Sequence, residues 1–304
     1  MRRIIAIALL ICLAALAPAG AATAREVVDE MGRKVVVPDH PRRIIGLIAS
    51  LVETVYALGL EKRIVGATTW CDYPEAAKHL PRVGSYTAPN LERIVELAPD
   101  LVLATREGNP PWVVDKLTAA GIPVYVTAPK DPKDVPATLA KLGLVCGAEK
   151  QGLELARRLR EQFAAVAEKL KGASMRPTLL IIGSRPLISV GKGTINHELM
   201  VMAHAKNIAA DAPGHWPRLS LEYVVQARPE VVVLSTMERG QQLERDLKYW
   251  RSMPGVGDRP GVRVMYINSD FTDRPGPRLG LGLAALARAI HPERFAATQP
   301  DAKP

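Results

Sequence analysis

With 304 residues, 48% of them hydrophobic and 23% charged, the chain has the make-up of one large or two ordinary globular domains, and only a short polar tail after Phe295 is low in complexity. The net charge of +9 is spread along the sequence without a long Lys/Arg block, which excludes a nucleic-acid-binding stripe. Three cysteines without metal-site spacing exclude both a disulfide framework and a zinc module.

Arg2 and Arg3 precede an apolar run, Ile4 to Leu16, that is short for a membrane span. Small residues follow, with A-x-A sites ending at Ala21 and Ala24. Residues 1–24 are therefore expected to be a cleaved secretory leader, which places the mature chain in the periplasm of a two-membrane bacterium. Cleavage removes two arginines and no acid, so the charge falls from +9 to +7. Cys12 sits inside the apolar run behind Ile11, not after a small residue at its end, so a lipid anchor is not expected. The remaining Cys71 and Cys146 either pair in that oxidising compartment or stand as separate buried thiols.

In the mature chain, Val27–Val37 reads as a hairpin turning at Met31–Gly32. A short strand at Ile44–Ile48 leads to a helix Leu51–Leu58 capped by Ser50, and a second strand covers Ile64–Ala67. The long loop Thr68–Pro89 carries Trp70, Tyr73 and Tyr86. A helix from Leu91 with Asn90 as cap, a strand Leu101–Ala104, a helix Trp112–Ala120, a strand Val124–Val126 and a helix Val135–Leu144 complete an α/β lobe. Glu149–Lys171 is one long helix whose apolar stripe is Ala156, Leu159, Phe163, Val166 and Leu170. The alternation then restarts with strand Thr178–Gly183 and helix Asn196–Met202. Helix Leu221–Ala227 (capped by Ser220), strand Val231–Leu234, helix Gln241–Trp250, strand Val264–Ile267 and helix Arg278–Ile290 follow.

One stretch occurs twice. Leu91–Thr105 (LERIVELAPDLVLAT) and Leu221–Ser235 (LEYVVQARPEVVVLS) lie 130 residues apart and share Leu91/Leu221, Glu92/Glu222, Val95/Val225, Pro99/Pro229 and Val102/Val232. The duplication predicts two similar lobes. The expected architecture is α/β, with lobes at 25–147 and 174–296 joined by a rigid helix at 148–173, a ligand cleft between them and a disordered tail at 297–304. Open α/β sheets bind ligands beyond the carboxyl ends of their strands. The loops placed there are rich in Trp70, Tyr73, Tyr86, Trp112, His215, Trp216, Asp270, Phe271 and Arg274, although aromatics make up only 5% of the chain. Any one of these rings could simply pin its own loop; as a set they suit a large flat or macrocyclic ligand. No GxSxG, HExxH or P-loop lysine motif is present and the six histidines are scattered, so no catalytic residues, metal site or resident cofactor are expected.

CDYP at Cys71–Pro74, NLERI at Asn90–Ile94, REGN at Arg106–Asn109, HWP at His215–Pro217 and SDFTDRPGPRL at Ser269–Leu279 together give the chain a family pattern. It resembles the helical-backbone (class III) periplasmic substrate-binding proteins that feed ABC importers of cobalamin, haem and ferric siderophores, and within them the cobalamin binders. The resemblance covers nearly all of the mature chain. It implies a monomeric carrier of cobalamin or a related corrinoid, without catalysis. Trp70, Tyr86, Trp216 and Phe271 would line the ligand, Asp270 would accept hydrogen bonds from its amides, and Glu92 and Glu222 would dock, one per lobe, on the permease dimer of the importer. Thr105 stands where close cobalamin binders have Trp, Trp70 where they have Tyr, and no cysteine after Cys146 can form their second-lobe disulfide. The lost aromatic is expected to widen the pocket or shift the preferred corrinoid. The alternatives in the same class are haem, with Tyr86 or His215 as axial ligand, and a ferric siderophore held by Arg106, Arg274 and Arg278.

Overall fold

Short apolar runs become buried strands, and the amphipathic segments between them become the helices that cover them. The computed structural model of the protein describes residues 23–236 and 240–295. The expected leader and tail therefore lie almost entirely outside the described residues. Strands β1 (Ala24–Val28) and β2 (Lys34–Pro38) pair as the antiparallel hairpin read from the sequence. The first-lobe sheet is parallel and contains β3 (Ile44–Gly46), β4 (Ile64–Ala67), β5 (Leu101–Thr105) and β6 (Val124–Thr127), in the order β4-β3-β5-β6. Helices α1 (Ala49–Ala57), α2 (Leu91–Glu96), α3 (Pro111–Ala119) and α4 (Val135–Val145) connect and cover it. All five residues of β5 are buried, as expected for a central parallel strand covered on both faces.

After the linking helix α5 (Glu149–Lys169) comes β7 (Arg176–Ile181), then a small hairpin, β8 (Gly183–Ser184) and β9 (Leu187–Ile188). Helix α6 (Ile195–Met202), β10 (Ala205–Asn207), α7 (Leu221–Ala227), β11 (Val231–Leu234), α8 (Gln241–Ser252), β12 (Arg263–Tyr266), a single-turn α9 (Ser269–Thr272) and α10 (Leu279–Ile290) complete the second lobe. Its parallel sheet runs β10-β7-β11-β12. Each sheet thus has its strands in the order second-first-third-fourth. The duplicated stretch fills the same topological place in both, α2 to β5 and α7 to β11.

The duplication extends to backbone detail. The Asn90 side-chain oxygen accepts from the Arg93 N–H at 2.9 Å, and the Ser220 hydroxyl oxygen accepts from the Tyr223 N–H at 3.1 Å. Ala98 (φ 42°) and Arg228 (φ 48°) both take the left-handed conformation immediately before Pro99 and Pro229. A residue before proline is disfavoured in the right-handed helical region, so both helices stop at the same place. Ser50 does not cap α1: the helix begins one residue earlier, at Ala49, with Ile48 in the cap position. The Ser50 carbonyl instead accepts from the Thr54 hydroxyl inside the helix. Strand β10 and the hairpin β8-β9 are too short to give a readable pattern in sequence.

The stripe of α5 is buried along its length, from Ala156 through Leu159, Phe163 and Val166 to Leu170. It joins a core that also contains Val135 and Leu139 of α4, Leu180 of β7, and Leu279, Leu283 and Leu286 of α10. One helix therefore packs on both lobes. Close approach of α4 to α5 depends on paired glycines: a Cβ at Gly143 would lie 2.5 Å from the Gly152 Cα. Cys71 and Cys146 are separate, buried free thiols. Burial pushes the Cys146 thiol up to about 12, so it stays protonated.

Candidate ligand cleft

Each first-lobe strand ends in a loop that reaches the same cavity, about 680 Å³ in volume. Ile48 to Ser50 follow β3, Thr68 and Trp70 follow β4, Thr105 ends β5 and Arg106 to Gly108 follow it, and Pro129 and Lys130 follow β6. The second lobe contributes Gly193 to Asn196, His215 and Trp216, and residues between Ser269 and Pro275. The cleft therefore lies beyond the carboxyl ends of both parallel sheets.

Among the residues expected to meet a ligand, Trp70, Tyr86, Arg106, Trp216, Asp270 and Arg274 line this cavity. Trp70 and Trp216 are about half exposed, at 51% and 52%, which leaves indole surface from each lobe open to the cleft. Tyr86 is held by the REGN segment: the Asn109 side-chain amide donates to the Tyr86 carbonyl at 2.8 Å and to the Leu47 carbonyl at 3.2 Å. Gly108 (φ 124°) lets the Tyr86 ring approach, since a Cβ there would lie 3.1 Å from the ring. Arg106 pairs with its neighbour Glu107 at 2.8 Å. His215 also lines the cavity.

Phe271 is not among the lining residues; the Arg278 guanidinium lies 5.1 Å from its ring centroid. Tyr73 likewise faces Arg278, at 3.8 Å, and Trp112 opens α3 with Lys116 over its ring. Neither ring is among the lining residues: Tyr73 meets an arginine of the other lobe, a pairing that no local pattern shows, and Trp112 lies in the first turn of α3 beside Lys116.

Arg274 is not a free cation awaiting a ligand. It is bound to three carboxylates, Glu53 at 2.9 Å, Asp72 at 2.8 Å and Asp270 at 3.0 Å. Glu53 and Asp72 come from the first lobe, so the contact crosses between lobes. Burial disfavours the ionised form of Asp72, but the hydrogen bond and charge of Arg274 outweigh it and hold this carboxyl below the usual range. Asp273, which also lines the cleft, behaves in the opposite way. Loss of solvation, with the like charge of Asp270, pushes its carboxyl up to about 6, offset only in part by the Thr272 hydroxyl at 3.0 Å, the Asn196 amide at 2.7 Å and the charge of Arg274. Among the described residues, no cluster of three or more His, Cys, Asp or Glu side chains could hold a metal ion.

A model of the periplasmic binding protein family matches residues 44–256. The chain belongs to this family. It is 32% identical to the vitamin B12-binding protein of Yersinia pestis (strain Pestoides F), over 82% of this chain and 86% of that protein. Its fold is that of the periplasmic vitamin B12 binding protein of Vibrio cholerae (TM-score 0.76, 24% identity, covering 84% and 98% of the two chains). The apo periplasmic heme-binding protein of Roseiflexus sp. RS-1 is also similar (TM-score 0.73, 26% identity, covering 83% and 99%).

Within this periplasmic binding protein, Glu92 and Glu222 occupy matching first turns of α2 and α7, and both are exposed. Backbone N–H bonding and the Ser220 hydroxyl hold the Glu222 carboxyl below its ordinary range, so it is anionic at neutral pH. Four residues of the site escaped the sequence pattern: Glu53, Asp72, Asn196 and Asp273. Glu53 did leave a signal, as the single charged residue of the apolar helix ASLVETVYA. Asp72 and Asp273 sit inside the CDYP and SDFTDRPGPRL motifs, but only three-dimensional pairing gives them roles.

Proposed function

We propose that this periplasmic binding protein captures cobalamin or a related corrinoid in the interlobe cleft and delivers it to the permease dimer of an ABC importer. The observation that carries the reading is one cleft faced by an indole from each lobe, Trp70 and Trp216, with Tyr86 and the carboxylate of Asp270 beside them. Aromatic faces suit a large flat macrocycle, and a fixed carboxylate suits its peripheral amide donors. The 32% identity to a protein named as vitamin B12-binding supports the same ligand. The protein acts as an exported monomer that holds its cargo non-covalently, with no resident cofactor and no catalytic step. Phe271 contributes by holding Arg278 rather than by touching the ligand. Thr105, a small residue in the cavity wall, leaves room that an aromatic would fill.

Haem is the second reading, because Tyr86 and His215 both line the cleft and the Roseiflexus neighbour is a heme-binding protein. Titration of the purified mature protein with cyanocobalamin, haemin and a ferric siderophore, followed by absorbance and tryptophan fluorescence, separates the readings. Saturable corrinoid binding in the micromolar range or below, with quenching of Trp70 and Trp216, is the expected result. Haemin saturating the site while cyanocobalamin does not would overturn the corrinoid reading.

A further inference from the structure

We infer that Glu53 is a positioning residue for Asp270, acting across the lobe interface through Arg274. The inference rests on the reading of Asp270 as the acceptor for ligand amides. Glu53 lies in α1 of the first lobe with its side chain only 2% exposed. Its Oε1 accepts from Arg274 Nη1 at 2.9 Å and from Arg278 Nη2 at 2.6 Å, and its Oε2 accepts from Arg278 Nε at 2.8 Å. Both arginines belong to the second lobe. A carboxylate buried this deeply needs such hydrogen-bonding partners in place of water.

The two arginines do different things. Arg278 grips Glu53 with two nitrogens and lies against Tyr73 of the first lobe and Phe271 of the second. That half joins one lobe to the other. Arg274 continues into the cleft, where Nη2 meets Asp270 Oδ1 at 3.0 Å. A guanidinium is planar and its nitrogens keep a fixed fork, so fixing Nη1 also fixes where Nη2 points. Nη1 is held by Glu53 and by Asp72 at 2.8 Å. Asp72 is on a loop with a side chain 45% exposed, so Glu53 is the firmer of the two anchors. The orientation of a cleft carboxylate in one lobe is thus linked to a buried carboxylate in the other.

A double-mutant cycle tests this, with dissociation constants for cyanocobalamin measured at one temperature for wild type, Glu53→Gln, Asp270→Asn and the double variant. Each single change is expected to weaken binding about tenfold, as for loss of a charge-assisted hydrogen bond, and the double variant is expected to match Asp270→Asn alone. For a corrin whose side-chain amides are replaced by methyl esters, Glu53→Gln should leave affinity unchanged, because Asp270 then has no amide hydrogen to accept. Glu53→Asp keeps the charge and shortens the arm by one methylene; it should fall between wild type and Glu53→Gln and lose its effect when Asp270 is Asn. It carries the cycle if Glu53→Gln does not fold. Effects that multiply to about a hundredfold in the double variant, or a Glu53 change that leaves amide-ligand affinity intact, overturn the positioning role and leave the corrinoid reading standing. If wild type shows no saturable corrinoid binding, the corrinoid reading falls and the positioning role falls with it.

Discussion

Asp273, in the cleft wall, and Asp72, bound to Arg274, show how two carboxylates of one site acquire opposite tendencies. Arg274 touches Asp72 and favours its charge, whereas Asp273 is poorly solvated, is hydrogen-bonded by neutral groups and feels the like charge of Asp270. The Asp273 carboxyl is raised from 3.8 to about 6, so between those values the folded state holds a proton that the unfolded chain has released. Its contribution to stability is full below the lower value and is lost as pH rises through the higher one. Asp273→Asn should therefore be more stable than wild type near neutral pH, with the difference shrinking as pH falls through about 6 and vanishing near 3.8. Thermal melts of both proteins across that range check this. A difference that does not change with pH would show that Asp273 ionises as an ordinary carboxylate.

At the level of elements, the long helix α5 owes its placement to small residues as much as to its apolar stripe. Gly143 of α4 and Gly152 of α5 meet backbone to backbone, and an added Cβ at Gly143 would sit 2.5 Å from the opposing Cα. No side chain is available to move aside, so Gly143→Ala must push the helices apart and disturb the core that Leu139 shares with Leu159 and Phe163. Overpacking of this kind costs about 1–3 kcal/mol. Urea unfolding of Gly143→Ala should show a loss of that size, while the equally helical but exposed Lys150→Ala should unfold like wild type. Equal stability of Gly143→Ala and wild type would mean that the helix pair tolerates separation.

At the level of the whole molecule, the repeat places one exposed glutamate on each lobe, Glu92 on α2 and Glu222 on α7, in topologically equivalent first turns. Neither lines the cleft. A two-fold permease could engage both through basic side chains, so replacing both with Arg should abolish transport and permease binding while leaving corrinoid affinity within about twofold, since surface substitutions away from a site rarely exceed ~0.5 kcal/mol. Pull-down of the double variant with permease-containing membranes, together with the fluorescence titration, reads the two properties separately. Weakened corrinoid binding with intact docking would reverse the assignment. The interlobe contacts from Glu53 to Arg274 and Arg278 and the shared core around α5 also argue for small hinge motion between the lobes.

Periodicity, caps and the repeat were legible in the sequence because they are local. Asn90 and Ser220 cap from neighbouring positions, Pro99 and Pro229 stop helices by local sterics, and fully apolar runs such as Leu101–Ala104 announce buried parallel strands. These were enough to determine two α/β lobes, a single linking helix and the loops that face the cleft, and so to bring Trp70, Tyr86, Trp216 and Asp270 to one place. Only the tertiary structure decided what each cleft charge is bound to. Glu53 is 221 residues from Arg274 and 225 from Arg278. No local pattern encodes that pairing, yet it turns Arg274 from a candidate ligand contact into a bridge and moves Phe271 from the cavity wall to the side of Arg278. Local sterics and burial are written in the order of the residues, whereas the partners of a buried charge are settled only when the chain folds and brings opposite charges within reach.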